Sequence, residues 1–166
     1  WFGPDGGESY SSPHLATTGG VKQIVFLNKE GVAGYAPADG KELWKLPSTG
    51  NHILQPALVT DNDILLDAGD VKGMRRITIK NESGRWTTEE RWTSDRFKPN
   101  FNDYVVHKGY VYGFEGPSLA CMDIENGNRI WRGGRYGGQL ILLADQDLLL
   151  VLTEEAAKIF SEEDNA

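Results

Sequence analysis

Three histidines, His14, His52 and His107, are the side chains in this sequence best suited to bind a transition metal or to move a proton near neutral pH. They lie in three separate parts of the chain, so a fold that joins those parts could bring them to one metal ion. Their sequence surroundings differ, however, and no carboxylate stands at a fixed offset from them. This pattern favours histidines that are paired in the core or line a channel. We therefore predict no metal site and no catalytic residue.

Two further stretches carry part of the chemistry of an ion-binding loop. Asp61 to Asp70 spaces oxygen ligands as a calcium loop does, but it lacks the glycine at the sixth position and the glutamate at the twelfth. Gly133 to Gly138 is rich in glycine, but no helix is predicted after it, and phosphate-binding loops lead into a helix. We interpret both stretches as ordinary connections between strands.

The composition excludes two kinds of partner. Seventeen basic and 24 acidic residues give a net charge of −7 without a basic patch, so nucleic acid is not expected to bind. The most apolar stretch, Leu140 to Leu152, is interrupted by three polar residues and predicts a hairpin, so no membrane insertion is expected. The single Cys121 cannot form an internal disulfide. The chain begins at Trp1 without a signal peptide, and we expect it to be a processed or excised piece of a longer protein.

Tryptophans divide the sequence into repeating units that must position any functional side chain. Trp1, Trp44, Trp92 and Trp131 are spaced at a period of about 40 to 50 residues, which is typical of propeller blades made of strands only. The units are 1–44, 45–92, 93–131 and 132–152. We predict an all-β fold, a β-propeller of about four four-stranded blades that forms a fragment or half of a larger ring.

Each unit offers short runs rich in β-branched, leucine and aromatic residues, which predict half-buried strands. These runs are 13–17, 22–27, 32–36 and 42–46 in the first unit; 56–60, 63–67, 75–80 and 89–92 in the second; 104–107, 110–114, 119–124 and 129–131 in the third; and 140–143 and 148–152 in the fourth. Asp39-Gly40 and Asn126-Gly127 predict hairpin turns between the third and fourth strands, because Gly and Asn tolerate positive φ.

The tail, residues 153–166, departs from the repeat. Thr153 is a suitable N-cap for the helix-forming residues that follow, so we expect a short helix or a frayed acidic end. The alternative is that 157–160 form the third strand of the fourth unit.

The repeats resemble the quinoprotein-like, or PQQ-like, propeller family. The resemblance rests on Ser12-Pro13, Ile24-Val25-Phe26, Gly34-Tyr35-Ala36-Pro37 with Asp39-Gly40, and Glu42-Leu43-Trp44 in the first unit. The third unit matches through His107-Lys108-Gly109, Tyr110-Val111-Tyr112-Gly113, Ala120-Cys121-Met122-Asp123 and Ile130-Trp131. The resemblance covers 1–152 and implies that the tryptophans dock between adjacent blades. We assign a structural role to Trp44, Trp92, Trp131, Asp39, Gly40, Asn126 and Gly127.

The alternation of strand direction predicts which connections share a surface. Links from the fourth strand of one unit to the first strand of the next lie on the same side as the turns between second and third strands. Two of these links, 45–55 and 93–103, are long, and long loops on a rigid scaffold are where binding usually resides. Together with the inner strands, they provide the candidate binding residues His52, Gln55, Arg96, Asn102, Asp103 and His107.

The family contains both enzymes and non-enzymes. The resemblance implies a non-catalytic binding or scaffold module of an exported bacterial protein, periplasmic or secreted, with a protein or carbohydrate partner at the loop face and no cofactor. The alternative is part of a PQQ-dependent alcohol or sugar dehydrogenase with PQQ and Ca²⁺. The vicinal disulfide frequent in those enzymes is absent, and Asn102-Asp103 is the one candidate remnant of their ligand set. Two chains could also pair as a homodimer to close the ring, with Trp1-Phe2 completing the last blade.

Overall fold

Fifteen β-strands form the protein in a computed structural model that describes residues 1–3, 8–48, 54–68, 73–99, 104–135, 137–153 and 157–161. The strands are β1 His14–Thr18, β2 Val21–Asn28, β3 Gly31–Tyr35, β4 Glu42–Pro47, β5 Ala57–Leu58, β6 Asp63–Asp67, β7 Met74–Glu82, β8 Arg85–Ser94, β9 Tyr104–His107, β10 Tyr110–Glu115, β11 Ser118–Asp123, β12 Arg129–Gly133, β13 Gly138–Leu143, β14 Leu148–Thr153 and β15 Ala157–Ser161. A 3₁₀ turn, Ala144–Gln146, separates β13 from β14. The all-β prediction is confirmed.

The strands pair into four antiparallel sheets, each in simple sequence order. The first three sheets contain β1–β4, β5–β8 and β9–β12, and the fourth contains β13–β15. The chain divides into two compact units, Trp1–Asp95 with the first two sheets and Arg96–Ala166 with the last two. No helix in the described ranges is long and apolar enough to span a membrane.

One irregularity recurs in each four-stranded sheet. The pairing between third and fourth strands shifts register between Gly34 and Tyr35, between Arg76 and Ile77, and between Cys121 and Met122. In each case the residue just before the shift pairs with a tryptophan of the fourth strand. A β-bulge inserts one extra residue and bends the strand. The same bulge therefore sets the position of the tryptophan in all three sheets.

The core of each unit lies between its two sheets. In the first unit, Val25, Leu27 and Trp44 of the first sheet pack with Ile64 and Ile77 of the second. In the second unit, side chains of the third sheet pack against four residues of the fourth, which are Leu140, Leu142, Leu149 and Val151. Alternation along β2, where Gln23, Val25 and Leu27 are buried and the residues between them less so, reflects the two-residue period of a strand.

Three details of the sequence prediction are corrected. The second sheet's outer hairpin is longer than predicted, because β7 and β8 stay paired up to the turn at Ser83 and Gly84. Residues 157–161 form strand β15 on β14 and not a helix, since a short isolated helix is only marginally stable and the edge of β14 is available for pairing. The fourth sheet has three strands among the described residues, not four.

The turns at Asp39-Gly40 and Asn126-Gly127 also differ from the two-residue hairpins predicted. Asp39 and Asn126 keep negative φ, and only Gly40 and Gly127, at +72° and +70°, adopt the left-handed conformation. In both turns the glycine N–H donates to a carbonyl four residues earlier, Gly40 to Ala36 and Gly127 to Asp123, at 2.9 Å. The loops are therefore wider than a type I′ turn. Residues 1–3 form no strand; the indole N–H of Trp1 donates to the Pro37 carbonyl.

Candidate functional site

The antiparallel order gives every sheet two ends with different connections. We call the end where first strands begin and fourth strands finish the loop end, and the opposite end, with the tight turns, the turn end. The loop end carries the links 48–56, 95–103 and 134–137. The turn end carries the first-to-second and third-to-fourth strand turns.

Buried anchors hold the link at the loop end of the first unit. The Ser48 N–H donates to the Glu30 carbonyl at 3.1 Å, which ties the start of the link to a neighbouring turn. Leu54, near the end of the link, is only 1% exposed. Gln55 Nε2 lies 3.4 Å from His14 Nδ1, so the residues that lead into the second sheet contact the start of strand β1 in the first sheet. The described ends of this link are therefore fixed by the fold.

A second set of anchors fixes the start of the second unit. Phe97 is fully buried, and its ring occupies the space above Gly113, where an added Cβ would lie 2.8 Å from Phe97 Cζ. Arg129 Nη1 donates to the Arg96 carbonyl at 3.2 Å and to Glu115 Oε2 at 3.0 Å. A glycine at 113 is needed because the aromatic ring takes the volume of a side chain. Arg96 and Phe97 are thus held in place from both sides.

The structure describes three of the six predicted binding residues. Gln55 and Arg96 lie at the loop ends of their own units. His52, Asn102 and Asp103 lie outside the described residues. His107, predicted on an inner strand, is the last residue of β9 and stands at the turn end.

His107 belongs instead to an ion cluster that joins the third and fourth sheets. Its Nε2 lies 2.5 Å from Asp147 Oδ1, and Lys108 Nζ donates to the other carboxylate oxygen. Lys108 and Asp147 adopt left-handed backbone conformations, with φ of 46° and 59°. The hydrogen bond from His107, followed by that from Lys108, lowers the pKa of Asp147. The cluster fixes two turns to each other.

The first unit has a neutral counterpart at the same position. The Gly19 N–H donates to the Asp61 carbonyl and to Asn62 Oδ1, both at 3.1 Å. Asn81 Nδ2 donates to the Gly19 carbonyl at 3.4 Å. In each unit, the turns between the first and second strands of the two sheets are therefore tied together. Amide groups make this contact in the first unit, and the Asp147 carboxylate makes it in the second. This arrangement explains Asp61 and Asn62 as turn residues.

Two tryptophans dock between sheets as the resemblance implied. Trp44 is 5% exposed and packs in the core shared by the first and second sheets. Its Nε1 donates to Oε1 of the fully buried Gln23 at 2.5 Å. Trp131 packs with the third and fourth sheets, with its ring centroid 6.3 Å from that of Tyr112. These residues stabilise the units and do not offer a flat ligand-binding surface.

Two further polar or reactive side chains, Asp63 and Cys121, are buried in the interior. Asp63 accepts hydrogen bonds from Arg76 Nε at 2.8 Å and Thr78 Oγ1 at 2.7 Å, so this buried pair is satisfied. Burial raises the pKa of the Cys121 thiol to about 12, so it is not a nucleophile at neutral pH. Within the described ranges, no group of three or more His, Cys, Asp or Glu side chains could hold a metal ion.

The sequence reading missed Leu54, Phe97 and Arg129 as the anchors of the loop end. Leu54 and Phe97 could have been identified as apolar residues within polar links, because large apolar side chains are usually buried. Arg129 gave no such signal, since its role depends on the fold bringing it to Arg96.

Comparisons with known proteins show the family and the fold of this chain. A sequence model of the family described as outer membrane protein assembly factor BamB matches residues 5–132. The crystal structure of BamB from Moraxella catarrhalis aligns over 93% of this chain and 49% of its own length, with a TM-score of 0.60 and 14% identity. This chain thus spans about half the length of that relative, and the likeness confirms the β-propeller fold. The computationally designed Ika8 protein aligns at a TM-score of 0.46 with 12% identity, over 84% of this chain and 55% of its own, too low to support an inference. No curated protein matches significantly.

Proposed function

From the premise that this chain belongs to the PQQ-like repeat family of the outer membrane protein assembly factor BamB, we propose that it is a non-catalytic binding or scaffold module. The family is that of an assembly factor and not of an enzyme. The observation that carries the proposal is the family match over residues 5–132. A protein is the partner that best fits this family.

The loop end supports this role by its construction. The described parts of the two long links contain buried anchors, Leu54 in one and Phe97 in the other. A rigid scaffold reduces the entropy lost on binding. We propose that the loop end of each unit, with Gln55 in the first and Arg96 in the second, contacts a protein partner. His52, Asn102 and Asp103 remain candidates there.

Export to the periplasm or outside the cell is part of the proposal. It is supported by the family's link to outer-membrane assembly. The module works without PQQ or Ca²⁺, and carbohydrate is the competing ligand class. Ring closure by a second copy stays a hypothesis, and light scattering tests it by measuring whether the chain is a dimer.

Native mass spectrometry distinguishes the scaffold from the dehydrogenase fragment. The 166-residue chain is measured alone and with PQQ plus Ca²⁺. The proposal predicts no stoichiometric uptake of quinone and no dye reduction with alcohols or sugars. Uptake of one quinone per chain or per dimer, together with substrate-dependent dye reduction, would establish the dehydrogenase alternative.

A further inference from the structure

The turn that leads into β12 contains the only Asn-Gly pair in the sequence, Asn126-Gly127. Asn126 is exposed, whereas Gly127 is buried and has a φ of +70°. In an Asn-Gly pair, the backbone nitrogen of the glycine approaches the side-chain amide carbon with the least hindrance, because glycine has no side chain and a flexible backbone. This pair is therefore the position in the chain best suited to spontaneous deamidation.

The side chain of Asp123 holds the Asn126 amide in place. Asp123 Oδ2 accepts a hydrogen bond from Asn126 Nδ2 at 2.9 Å, and Asp123 Oδ1 accepts one from the Glu125 N–H at 2.7 Å. Asn126 Oδ1 accepts a hydrogen bond from the Asn128 N–H at 2.8 Å. The amide nitrogen thus meets an acceptor and the amide oxygen meets a donor, so the network determines the orientation of the amide.

The backbone nitrogen that would attack this amide is also hydrogen-bonded. The Gly127 N–H donates to the Asp123 carbonyl at 2.9 Å, and the Asp123 N–H donates to the Asn128 carbonyl at 2.8 Å. Deamidation requires the Gly127 nitrogen to lose its proton and to meet Cγ of Asn126. The hydrogen bonds to Asp123 must therefore break first, and Asp123 holds both reacting groups.

The corresponding turn of the first sheet has neither the amide nor the carboxylate that holds it. In that turn the Gly40 N–H donates to the Ala36 carbonyl. Asp39 therefore occupies the position of Asn126, and Ala36 occupies the position of Asp123. An aspartate has no side-chain amide to lose, and an alanine side chain accepts no hydrogen bond. The turn shape alone thus does not require Asp123, whereas the amide of Asn126 uses it.

We propose that Asn126 is a deamidation site whose reaction rate is set by opening of the turn that Asp123 closes. In the open turn, the Gly127 nitrogen loses its proton to water and forms a bond to Asn126 Cγ. The bond from Cγ to Nδ2 breaks, and ammonia leaves after taking up a proton from water. A water molecule then opens the succinimide ring at one of its two carbonyls, which leaves aspartate or isoaspartate at position 126.

Both products weaken the turn that delays the reaction. Aspartate at position 126 places a second carboxylate beside Asp123, so like-charge repulsion replaces a hydrogen bond. Isoaspartate lengthens the backbone by one atom just before β12, the strand whose Trp131 packs with the third and fourth sheets. The proposal concerns the turn end and does not depend on a partner at the loop end.

Peptide mapping by liquid chromatography and mass spectrometry measures the reaction in the 166-residue chain. The chain is incubated at neutral pH, either folded or in enough urea to unfold it, and the conversion of amide to acid at position 126 is followed over time. We expect the folded chain to react about tenfold or more slowly than the unfolded chain, because only the open turn reacts.

Two variants test the role of the Asp123 side chain. Asp123→Ala removes the carboxylate and keeps the backbone carbonyl, and circular dichroism checks that the variant folds. We expect the folded variant to deamidate about fivefold or more faster than the folded wild type, since its turn opens more easily. Asp145→Ala, which removes an exposed aspartate from a different turn, should react at the wild-type rate. In urea, all three chains should react equally.

Equal rates in the folded and unfolded wild type would overturn the proposal, as would an unfolded chain that keeps Asn126 intact. A folded Asp123→Ala chain that reacts at the wild-type rate would also overturn it, because the carboxylate would then not control opening of the turn. If Asp123→Ala does not fold, the comparison of folded and unfolded wild type still decides whether the fold protects Asn126.

Discussion

Trp44 both packs in the core of the first unit and pairs with a buried polar side chain. Its ring fills the space that Gly34 leaves open, and its N–H satisfies Gln23, which is fully buried. A buried amide oxygen without a partner costs more than the bond contributes when made. Gly34, Gln23 and Trp44 therefore act as a set, in which each residue type requires the others.

We predict that Trp44→Phe destabilises the protein by about 1–3 kcal/mol through the unpaired Gln23 oxygen, in addition to the lost ring volume. Urea denaturation of Trp44→Phe, Gln23→Met and the double variant forms a double-mutant cycle that separates these two effects. The coupling should be about 1 kcal/mol or more. Strictly additive effects would show that the hydrogen bond is not a stabilising interaction.

Residue types alone could not reveal this set. The sequence identified Trp44 from its place in the repeat, but Gln23 lies 21 positions away on another strand. Its role becomes visible only when pairing places both side chains on one face. The same limit applied to His107, for which the residue type suggested binding and the direction of β9 placed it beside Asp147.

At the scale of elements, the turn end ties neighbouring sheets together through their first turns. The cluster of His107, Lys108 and Asp147 does this in the second unit, and Gly19 with Asn62 does it in the first. The ionic version makes the second unit sensitive to acid, because protonation of the Asp147 carboxylate removes its ion pair with Lys108.

Asp147→Asn should lower stability at neutral pH, with an effect that disappears in acid. The pKa of Asp147 is lowered by folding, so its stabilisation is fully present above the unfolded-state value of about 4. It is lost as the pH falls through the lower folded-state value. Urea midpoints of wild type and variant, measured from pH 7 to pH 2, should converge at the acid end. The exposed Asp145→Asn serves as the control, and a difference that is independent of pH would contradict the ionic role.

The anchors of the loop end make a second prediction about an element. Arg129→Met removes the bond to the Arg96 carbonyl while keeping an unbranched side chain on β12. We expect amide exchange at residues 96–98 to accelerate about threefold or more, as local opening becomes easier. Exposed Arg135→Met should leave that exchange unchanged. Unchanged exchange in Arg129→Met would mean that Phe97 alone fixes the link.

Most strands were predictable because their alternating apolar residues and glycine turns are local signals. The outer hairpin of the second sheet was underestimated, since Arg85 to Glu90 is mostly polar and its pairing depends on β7. Strand β15 was also left open, because the helix-forming residues before it gave a competing signal and only β14 decides between them.

For the whole molecule, the repeat explains why the fold was easier to predict than the site. The spacing of the tryptophans can be read directly from the sequence, and the match to BamB confirms the family over residues 5–132. The candidate site depends on loop anchors that come from distant strands. The chain spans about half the length of the Moraxella relative, and its partner surface is therefore a proposal.

The most direct test of the protein-binding account is site-specific photo-crosslinking from the loop end. A benzoyl-phenylalanine replaces Gln55 or Arg96, and Asn126, at the turn end, is the matched control position. The account predicts that each loop-end position crosslinks to a discrete protein and that position 126 does not. Crosslinks from position 126 alone, or a loop end that yields none while the chain binds a defined carbohydrate, would contradict it.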